Sequence, residues 1–381
     1  MPNTHETLGS LFSDIADAIR DKKNSSDPIS ANDFPSEIAS IPLGAPDGLV
    51  WTPVNDSRDI VPQCYGKGKF IGVTGNDIVY SSDGITWSTA TVNRSEIERY
   101  GSVGFASIVY GNDMYMGIVT EILDEGYIVY SYDGINWTAK QWVSYFSEDM
   151  DEYYSMTFHN GIFVAYSMYG EVDYAIDENM LGGTGSYSDS YFIDGNDEVV
   201  LLVDSGGRTA ETNRYNWVYT QSSGVQPRIS SEAHQVTNED AGLLYWFYGN
   251  EIYLVAYLTF SEPYNLYSYI SKDAKTWTLI ANPPWATMSG SSHFWSGNGR
   301  IFASKDTGYK LQDYYTSVDG IVWQKINMSF DSIPGYTDYI VGDTDYSVIC
   351  ENGMFLARIL CYPSSGQGVY RLFYSRTTND Y

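Results

Sequence analysis

Short apolar and aromatic runs alternate with brief polar turns from about residue 60 to the end of the chain. The runs have the length of β-strands, and seven of the turns are rich in Gly and Asn, which tolerate positive φ and suit hairpins. These turns are residues 66–68, 111–113, 160–161, 194–196, 249–250, 297–299 and 352–353. Gly66 and Asn352 are 286 positions apart over six intervals, or about 48 residues per unit, which is typical of blade repeats.

A second motif follows the third strand-like run of several units. It reads Ser-x-Asp-Gly-Ile-x-Trp at residues 81–87, 131–137 and 317–323, with a looser copy at 271–277 and a worn copy at 211–217. The order within a unit is then strand, Gly/Asn turn, strand, loop, strand, Asp-Gly turn and a strand that begins with Trp. This order predicts a four-stranded antiparallel meander, the blade of a β-propeller.

The two ends of the chain complement each other. The last unit lacks the Asp-Gly motif, whereas residues 47–54 carry Asp-Gly-Leu-Val-Trp with no strands in front of them. We predict that residues 47–54 pair with residues 369–375 and close the ring, which removes an exposed sheet edge. The predicted fold is all-β: a seven-bladed β-propeller of four-stranded antiparallel blades, closed by an N-terminal strand, with a small α-helical leader. The leader is assigned to residues 1–45 and the propeller to residues 46–381. The motifs of units three and four are degenerate, so a propeller of six or eight blades is an alternative.

The repeated motif resembles the Asp-box, or BNR repeat, of sialidase-like propellers, over about 335 residues. It has one residue fewer between Asp and Gly than the usual family pattern. We expect its residues to be structural, because a turn Asp accepts backbone N–H groups and a Trp ring packs well between blades. These positions are Asp47, Trp51, Asp83, Trp87, Asp133, Trp137, Asp273, Trp277, Asp319 and Trp323.

The resemblance to sialidases also names an activity to look for. A sialidase needs an arginine cluster, a Tyr–Glu pair and an acid Asp, and the family begins with an Arg-Ile-Pro element. This chain has Arg228-Ile229-Ser230 deep inside and nothing of that kind near its start. Its four histidines lack metal-ligand spacing. We therefore expect no catalytic residues and no enzyme.

The connections predict two unlike faces. In a meander the first and third connections share one face, and here both are short and uniform. The other face carries longer segments at residues 144–154, 178–190, 221–242, 281–292 and 327–345. Because function concentrates in variable loops on a rigid scaffold, this loop-rich face is the predicted binding face. Its candidate contacts are Trp142, Tyr145, Phe146, Tyr187, Trp285 and Tyr336. The alternative for each ring is that it only packs its own loop.

Residues 1–45 have a different pattern. Apolar residues recur at helical spacing in one segment and again in a shorter one, giving two small helices that must dock on something else. The expected anchor residues are Leu11, Phe12, Ile15, Ile19, Phe34 and Ile38. Residues 11–20 and 33–38 resemble a leader found on structural proteins of tailed bacteriophages. The resemblance implies a virion protein of the tail, fibre or baseplate, present in several copies and joined to other virion proteins through the leader.

Composition limits the classes of partner that this chain is expected to bind. The formal net charge is -27, which opposes binding to nucleic acid. No apolar run approaches a membrane span, and no secretory signal opens the chain, so we expect synthesis in the host cytoplasm and no membrane insertion. Three sparse cysteines do not form a disulfide framework. No cofactor is expected, although the acidic run at 148–152 could attract calcium.

The leading hypothesis is a bacteriophage virion protein, tail-associated, that binds a host surface glycan or protein through the loop-rich face. One alternative is a purely architectural decoration, collar or baseplate component. Another is a glycoside hydrolase acting on polysaccharide, which needs two facing carboxylates. With 48 acidic residues in the chain, the sequence neither identifies such a pair nor excludes one.

Overall fold

The computed structural model describes parts of the chain between residues 49 and 376. The described residues are 49–98, 103–120, 127–141, 153–159, 161–167, 171–175, 178, 181–186, 190–194, 198–203, 215–222, 226–233, 241–259, 265–273, 276–280, 282–286, 292–297, 299–306, 312–341 and 348–376. The chain divides into two compact units, Met1–Leu49 and Val50–Tyr381. The predicted helical leader lies outside the described residues and stays a prediction.

Seven sheets follow one another along the described part of the second unit. An N-terminal strand, β1 (Val50–Pro53), belongs to the last of them. The first sheet contains β2 (Val61–Gly66), β3 (Lys69–Thr74), β4 (Asp77–Ser81) and β5 (Ser88–Thr89). The second contains β6 (Thr91–Asn93), β7 (Gly104–Gly111), β8 (Met114–Thr120), β9 (Tyr127–Ser131) and β10 (Asn136–Gln141). The third contains β11 (Tyr153–His159), β12 (Ile162–Ser167), β13 (Glu171–Ala175) and β14 (Leu181–Ser186).

The remaining sheets repeat this plan. The fourth contains β15 (Ser190–Asp194), β16 (Glu198–Val203), β17 (Tyr215–Ser222) and β18 (Gln226–Ala233). The fifth contains β19 (Ala241–Gly249), β20 (Ile252–Thr259), β21 (Leu266–Ser271) and β22 (Thr278–Ile280). The sixth contains β23 (Ser292–Gly297), β24 (Arg300–Asp306), β25 (Gln312–Ser317) and β26 (Gln324–Ile326). The seventh contains β27 (Ser329–Phe330), β28 (Tyr336–Val341), β29 (Val348–Glu351), β30 (Met354–Pro363) and β31 (Val369–Arg376) together with β1.

The first strands of most successive sheets contact one another. Contacts join β2 to β7, β7 to β11, β15 to β19, β19 to β23 and β23 to β29, and β29 returns to β2. Antiparallel meanders whose first strands follow one another in this way form a β-propeller. The predicted β-propeller of antiparallel sheets is therefore confirmed, and each sheet is called a blade below, numbered in chain order.

The N-terminal strand completes blade 7. β1 pairs antiparallel with β31, so that Thr52 lies opposite Tyr374 and Pro53 lies opposite Phe373. The predicted pairing between the N-terminal segment and the last strand is confirmed. The first strand of this blade is split, because both β28 and β29 pair with β30.

In the described part of the chain, two blades carry an additional strand on their outer edge. β6 pairs parallel with β10 of blade 2 and places Val92 beside Trp137. β27 pairs parallel with β1 of blade 7 and places Phe330 beside Trp51. In both cases the chain that leaves the preceding blade supplies the covering strand. A covered edge leaves fewer backbone N–H and C=O groups open to pairing with another chain.

The predicted Gly/Asn turns join the first and second strands of the seven blades. In blade 1, φ is 42° at Lys67 and 73° at Gly68, and in blade 7 it is 50° at Asn352 and 70° at Gly353. Positive φ at both central positions defines the type I′ turn, whose twist matches that of the strands it joins. These connections are short, as predicted.

Three segments predicted as loops contain strands. β14 lies within 178–190, β18 within 221–242, and both β27 and β28 within 327–345. Blades 3 and 4 therefore have four strands each despite their degenerate sequences. β14 has three glycines in six residues, a loop-like composition, but its pairing with β13 outweighs that weak local preference. Trp217 lies inside β17, so the worn motif copy at 211–217 is not a third turn.

The core is divided among the interfaces between blades. Buried residues such as Ile71 and Val129 pack between blades 1 and 2. Leu254 and Ile301 belong to the corresponding cluster of blades 5 and 6. Because each blade is covered on both faces, a strand such as β20 is buried along nearly its whole length.

Candidate functional site

The Asp-Gly turn of blade 1 is a hydrogen-bonded unit. Asp83 Oδ1 accepts the backbone N–H groups of Ile85 at 2.8 Å and Thr86 at 2.7 Å. Ser81 Oγ donates to the same carboxylate at 2.9 Å and accepts the N–H of Gly84 at 2.8 Å. The two side chains together satisfy the donors that the tight turn exposes. Asp83 therefore stabilises the turn, as predicted for the motif aspartates.

The same network recurs in the other motif copies. Asp133 and Asp319 each accept the two backbone N–H groups that follow the turn glycine, at 2.8 to 2.9 Å. Asp273 accepts the N–H of Thr276 at 2.7 Å. Asp47 lies outside the described residues.

Sequence reasoning gave no role to the serine that opens each motif copy. In all four described copies its hydroxyl donates to the carboxylate of the motif Asp. These residues are Ser81, Ser131, Ser271 and Ser317. The recurrence of serine at the same place in these four copies was the signal that could have identified them.

The turn carboxylates titrate at low pH. The bond from the Thr86 N–H is the largest influence on Asp83, and with other donors it lowers the pKa to about 2 against burial. For Asp133, burial alone would raise the pKa, but donors led by the Asn136 N–H outweigh it and the pKa is about 2.

A pKa below the unfolded value stabilises the fold above that value, and this contribution is lost as the pH falls through the folded pKa. We expect the free energy of unfolding to decrease from about pH 4 down to pH 2. Carboxyl NMR titration of Asp83 and Asp133 should give midpoints near 2. The D83N/D133N variant should lose this part of the pH dependence. Midpoints near 3.8, the ordinary pKa of an aspartate side chain, would contradict the network.

The motif tryptophans lie between blades. Trp87 belongs to the buried cluster of blades 7 and 1, and Trp137 to that of blades 1 and 2. Trp51 is fully buried, whereas Trp277 and Trp323 are only half-buried. The rings fill interfaces, and their burial differs from blade to blade.

The face with the short turns is linked from blade to blade. Lys67 Nζ in the first turn of blade 1 donates to the Tyr132 carbonyl in the Asp-Gly turn of blade 2 at 3.2 Å. Asn250 Nδ2 in blade 5 donates to the Val318 carbonyl of blade 6 at 3.1 Å. A Cβ added at Gly134 would lie 3.1 Å from a side chain of blade 1, and φ there is 73°. These interactions link neighbouring blades on this face.

The second connections and the links between blades begin and end at the opposite face. The longest intervals between strands there are residues 142–152, 204–214 and 281–291, of which the structure describes only residues 282–286. Blades 1 and 3 depart from the expectation of long second connections, because only residues 75–76 join β3 to β4 and only residues 168–170 join β12 to β13. The two faces therefore differ less uniformly than predicted.

Three half-buried tyrosines stand near the loop-rich end of blade 7. They are Tyr336 at the start of β28, Tyr362 near the end of β30 and Tyr370 near the start of β31. The Arg358 guanidinium lies 3.5 Å from the centroid of the Tyr370 ring and donates two hydrogen bonds of 2.7 Å to Asp59. We call these five residues the blade 7 cluster. Since Asp59 already neutralises the arginine, the cluster offers aromatic rings rather than free charge to a ligand.

Trp285, predicted to contact a ligand, is instead fully buried. Its ring centroid lies 4.9 Å from that of Phe294 and 5.8 Å from that of Trp323. Ser292 Oγ donates to the Trp285 carbonyl at 2.8 Å. The turn at 282–286 directs this large apolar ring into the interface of blades 5 and 6, where burial stabilises it more than exposure would. The prediction for Trp285 was wrong.

Several predicted residues lie outside the described part of the chain. The predicted ligand contacts outside it are Trp142, Tyr145, Phe146 and Tyr187. All of the predicted anchor residues also lie outside it: Leu11, Phe12, Ile15, Ile19, Phe34 and Ile38. Of the predicted ligand contacts, Tyr336 is the described one that keeps partial exposure.

Among the described residues, no three His, Cys, Asp or Glu side chains are grouped so as to hold a metal ion. The acidic run at 148–152 lies outside the described part of the chain. No helix within the described residues is long and apolar enough to cross a membrane. Burial raises the pKa of the Cys361 thiol to about 12 and that of Cys64 above its usual range, so both stay protonated near neutral pH.

Comparisons with known proteins find only weak structural likenesses. No family model matches the chain, and no curated protein matches it. A structure of YCF48 bound to D1 peptide is 12% identical over 87% of this chain and 95% of that chain, with a TM-score of 0.47. YCF48 from Cyanidioschyzon merolae is 10% identical over 87% of this chain and 99% of that chain, with a TM-score of 0.44. The N-terminal domain of Nup159 is 10% identical over 86% and 91% of the two chains, with a TM-score of 0.42. These likenesses are weak, and the fold assignment depends on the strand pairing described above.

Proposed function

We propose that the protein is a non-enzymatic binding protein whose loop-rich face contacts a surface glycan or protein. The difference between the two faces supports this proposal most directly. One face is held together by the Asp-Gly turns and by bonds such as that from Lys67 to the Tyr132 carbonyl. The other carries the long connections and the half-buried tyrosines of the blade 7 cluster.

Aromatic side chains suit this role. Tyrosine offers a large ring that stacks on a sugar or anchors a protein interface at low entropic cost, and its hydroxyl supplies a polar contact. Partial burial holds such a ring in place before a ligand arrives. Tyr336 and Tyr362 meet this condition, since both side chains are half-buried.

The Y336A/Y362A variant tests the binding face. We expect it to keep its fold and to lose about tenfold in affinity for permissive cells or for a positive glycan on an array, because two anchor rings are removed. Tyr132 is 52% exposed on the opposite face, so Y132A is the matched control and should bind normally. Equal binding by all three proteins would place the site elsewhere, and failure of the folded wild type to bind any permissive host would contradict adhesion.

The setting that we propose is the virion of a tailed bacteriophage, with the leader anchoring the chain to other virion proteins in several copies. The resemblance of residues 11–20 and 33–38 to phage leaders supports this setting. Mass spectrometry of purified particles should detect the chain, and its absence would remove the virion proposal. A particle reconstruction in which the loop-rich face is buried against neighbours would favour the architectural alternative.

A further inference from the structure

The outer edge of blade 6 differs from the edges of blades 2 and 7. In those two blades a parallel strand covers the edge and lies beside the motif tryptophan, Trp137 or Trp51. Both tryptophans are almost fully buried, at 2% and 0% exposure. In blade 6 the equivalent Trp323 is half-buried, and no strand within the described residues pairs with the outer edge of β26.

The reason for the open edge lies in the link from blade 5. The covering strands β6 and β27 are the chain segments that leave the preceding blades. After β22, the described residues 282–286 form a turn instead, closed by a bond of 3.0 Å from the Ala286 N–H to the Pro283 carbonyl. Trp285 is thereby buried between the blades, and this segment is not available to cover β26.

The carbonyl of the motif tryptophan shows the same contrast. In blade 7 the Trp51 carbonyl accepts the N–H of Asp331 at 2.8 Å. In blade 1 the Trp87 carbonyl accepts Arg58 Nη2 at 3.0 Å, so an arginine replaces the missing strand. Across the described part of the chain, no donor reaches the carbonyl of Trp323.

The surface beside this edge is apolar in blade 6. Val318, Ile321 and Val322 are 43%, 52% and 64% exposed. Blade 1 has Ser82 and Thr86 at the positions of the two valines. An exposed apolar group beside an unpaired strand edge is typical of a site for strand addition.

We propose that the outer edge of blade 6, residues 321–326, binds an extended segment of a partner protein as an added parallel strand. The covering strands of blades 2 and 7 define its chemistry. Thr-Val-Asn in β6 and Ser-Phe in β27 each place one apolar side chain, next to small polar residues, beside the motif tryptophan. The partner segment therefore carries an apolar residue that covers Trp323, Ile321 and Val322.

Two other occupants fit less well. The apolar residues of the leader recur at helical spacing, which predicts helix rather than an extended strand. In a second copy of this chain, β6 and β27 are already paired within their own blades. A segment from a different protein meets neither difficulty.

A synthetic peptide of residues 88–95, which contains β6, is the probe. We expect it to bind the full chain with a dissociation constant below about 1 mM and to slow amide hydrogen exchange in residues 321–326. The same peptide with Val92→Ser should bind about tenfold more weakly, because the apolar contact is lost. On the protein side, V322K should weaken binding about tenfold.

Val50 provides the matched control. It occupies the position of Val322 in blade 7 and is 54% exposed, but that edge is already covered by β27. V50K should bind the peptide as the wild type does, with circular dichroism confirming that both variants are folded. Any of three results would overturn the proposal: no binding, equal binding by V322K, or protection located outside residues 321–326. Slow exchange, before peptide is added, of the amides in residues 323–326 that point away from β25 would mean that this chain or a second copy already covers the edge, and would also overturn it.

Discussion

Replacing Trp51 with Ala is expected to lower the free energy of unfolding by about 3–5 kcal/mol. Trp51 is fully buried in the strand that closes the propeller, and its ring packs edge-on against Phe355 at 6.3 Å. Its indole N–H donates to the Met328 sulfur at 3.1 Å. The substitution leaves a cavity at the point where the two ends of the propeller chain meet. Urea denaturation followed by circular dichroism would measure the loss.

A substitution at the neighbouring Val50 is the control that separates the effect of side-chain packing from that of strand pairing. It is 54% exposed in the same strand, so V50A should change the free energy of unfolding by less than about 0.5 kcal/mol. A loss below about 1 kcal/mol for W51A would mean that this residue does not help close the ring.

Replacing Gly111 with Ala is expected to cost about 1–3 kcal/mol. Gly111 ends the first strand of blade 2, and a Cβ there would overlap the ring of Phe158 in blade 3. Gly111 is not among the residues with positive φ, so the penalty comes from the contact between blades and not from backbone strain. Thermal and urea unfolding of the variant would measure it.

A double-mutant cycle tests that cause. F158A removes the ring that an added Cβ would meet. If the overlap causes the loss, G111A/F158A should be less destabilised than the sum of the single variants. Additive losses would show that Gly111 is needed for another reason.

Local chemistry explains what the sequence revealed about the fold. Type I′ turns require residues that tolerate positive φ, so the Gly/Asn pairs predicted the hairpins directly. The Asp-Gly motif bonds within itself, as Asp83 does with Ile85 and Thr86, so its turn was visible in one short segment. The closing strand was predictable because Trp51 lies in a copy of that motif.

Contacts between distant segments were not predictable in this way. Arg358 and Asp59 are 299 positions apart, and no local sequence pattern around either residue predicts that the two will pair. Gly111 was identified as a turn residue, but its close approach to Phe158 depends on how two blades pack. The burial of Trp285 and the covering strands β6 and β27 likewise depend on neighbouring blades. The candidate site was therefore predicted only as a face, and the residues of the blade 7 cluster other than Tyr336 were missed.

The propeller depends on closure by β1, and amide hydrogen exchange along residues 50–54 tests this most directly. The Val54 N–H donates to the Leu372 carbonyl at 2.9 Å, and β1 is paired on both sides, with β31 and β27. Amides within such a strand exchange only when the structure opens. We predict that exchange in residues 50–54 is as slow as in the central strand β30. Exchange as fast as in an unstructured peptide would contradict closure of the propeller by this strand.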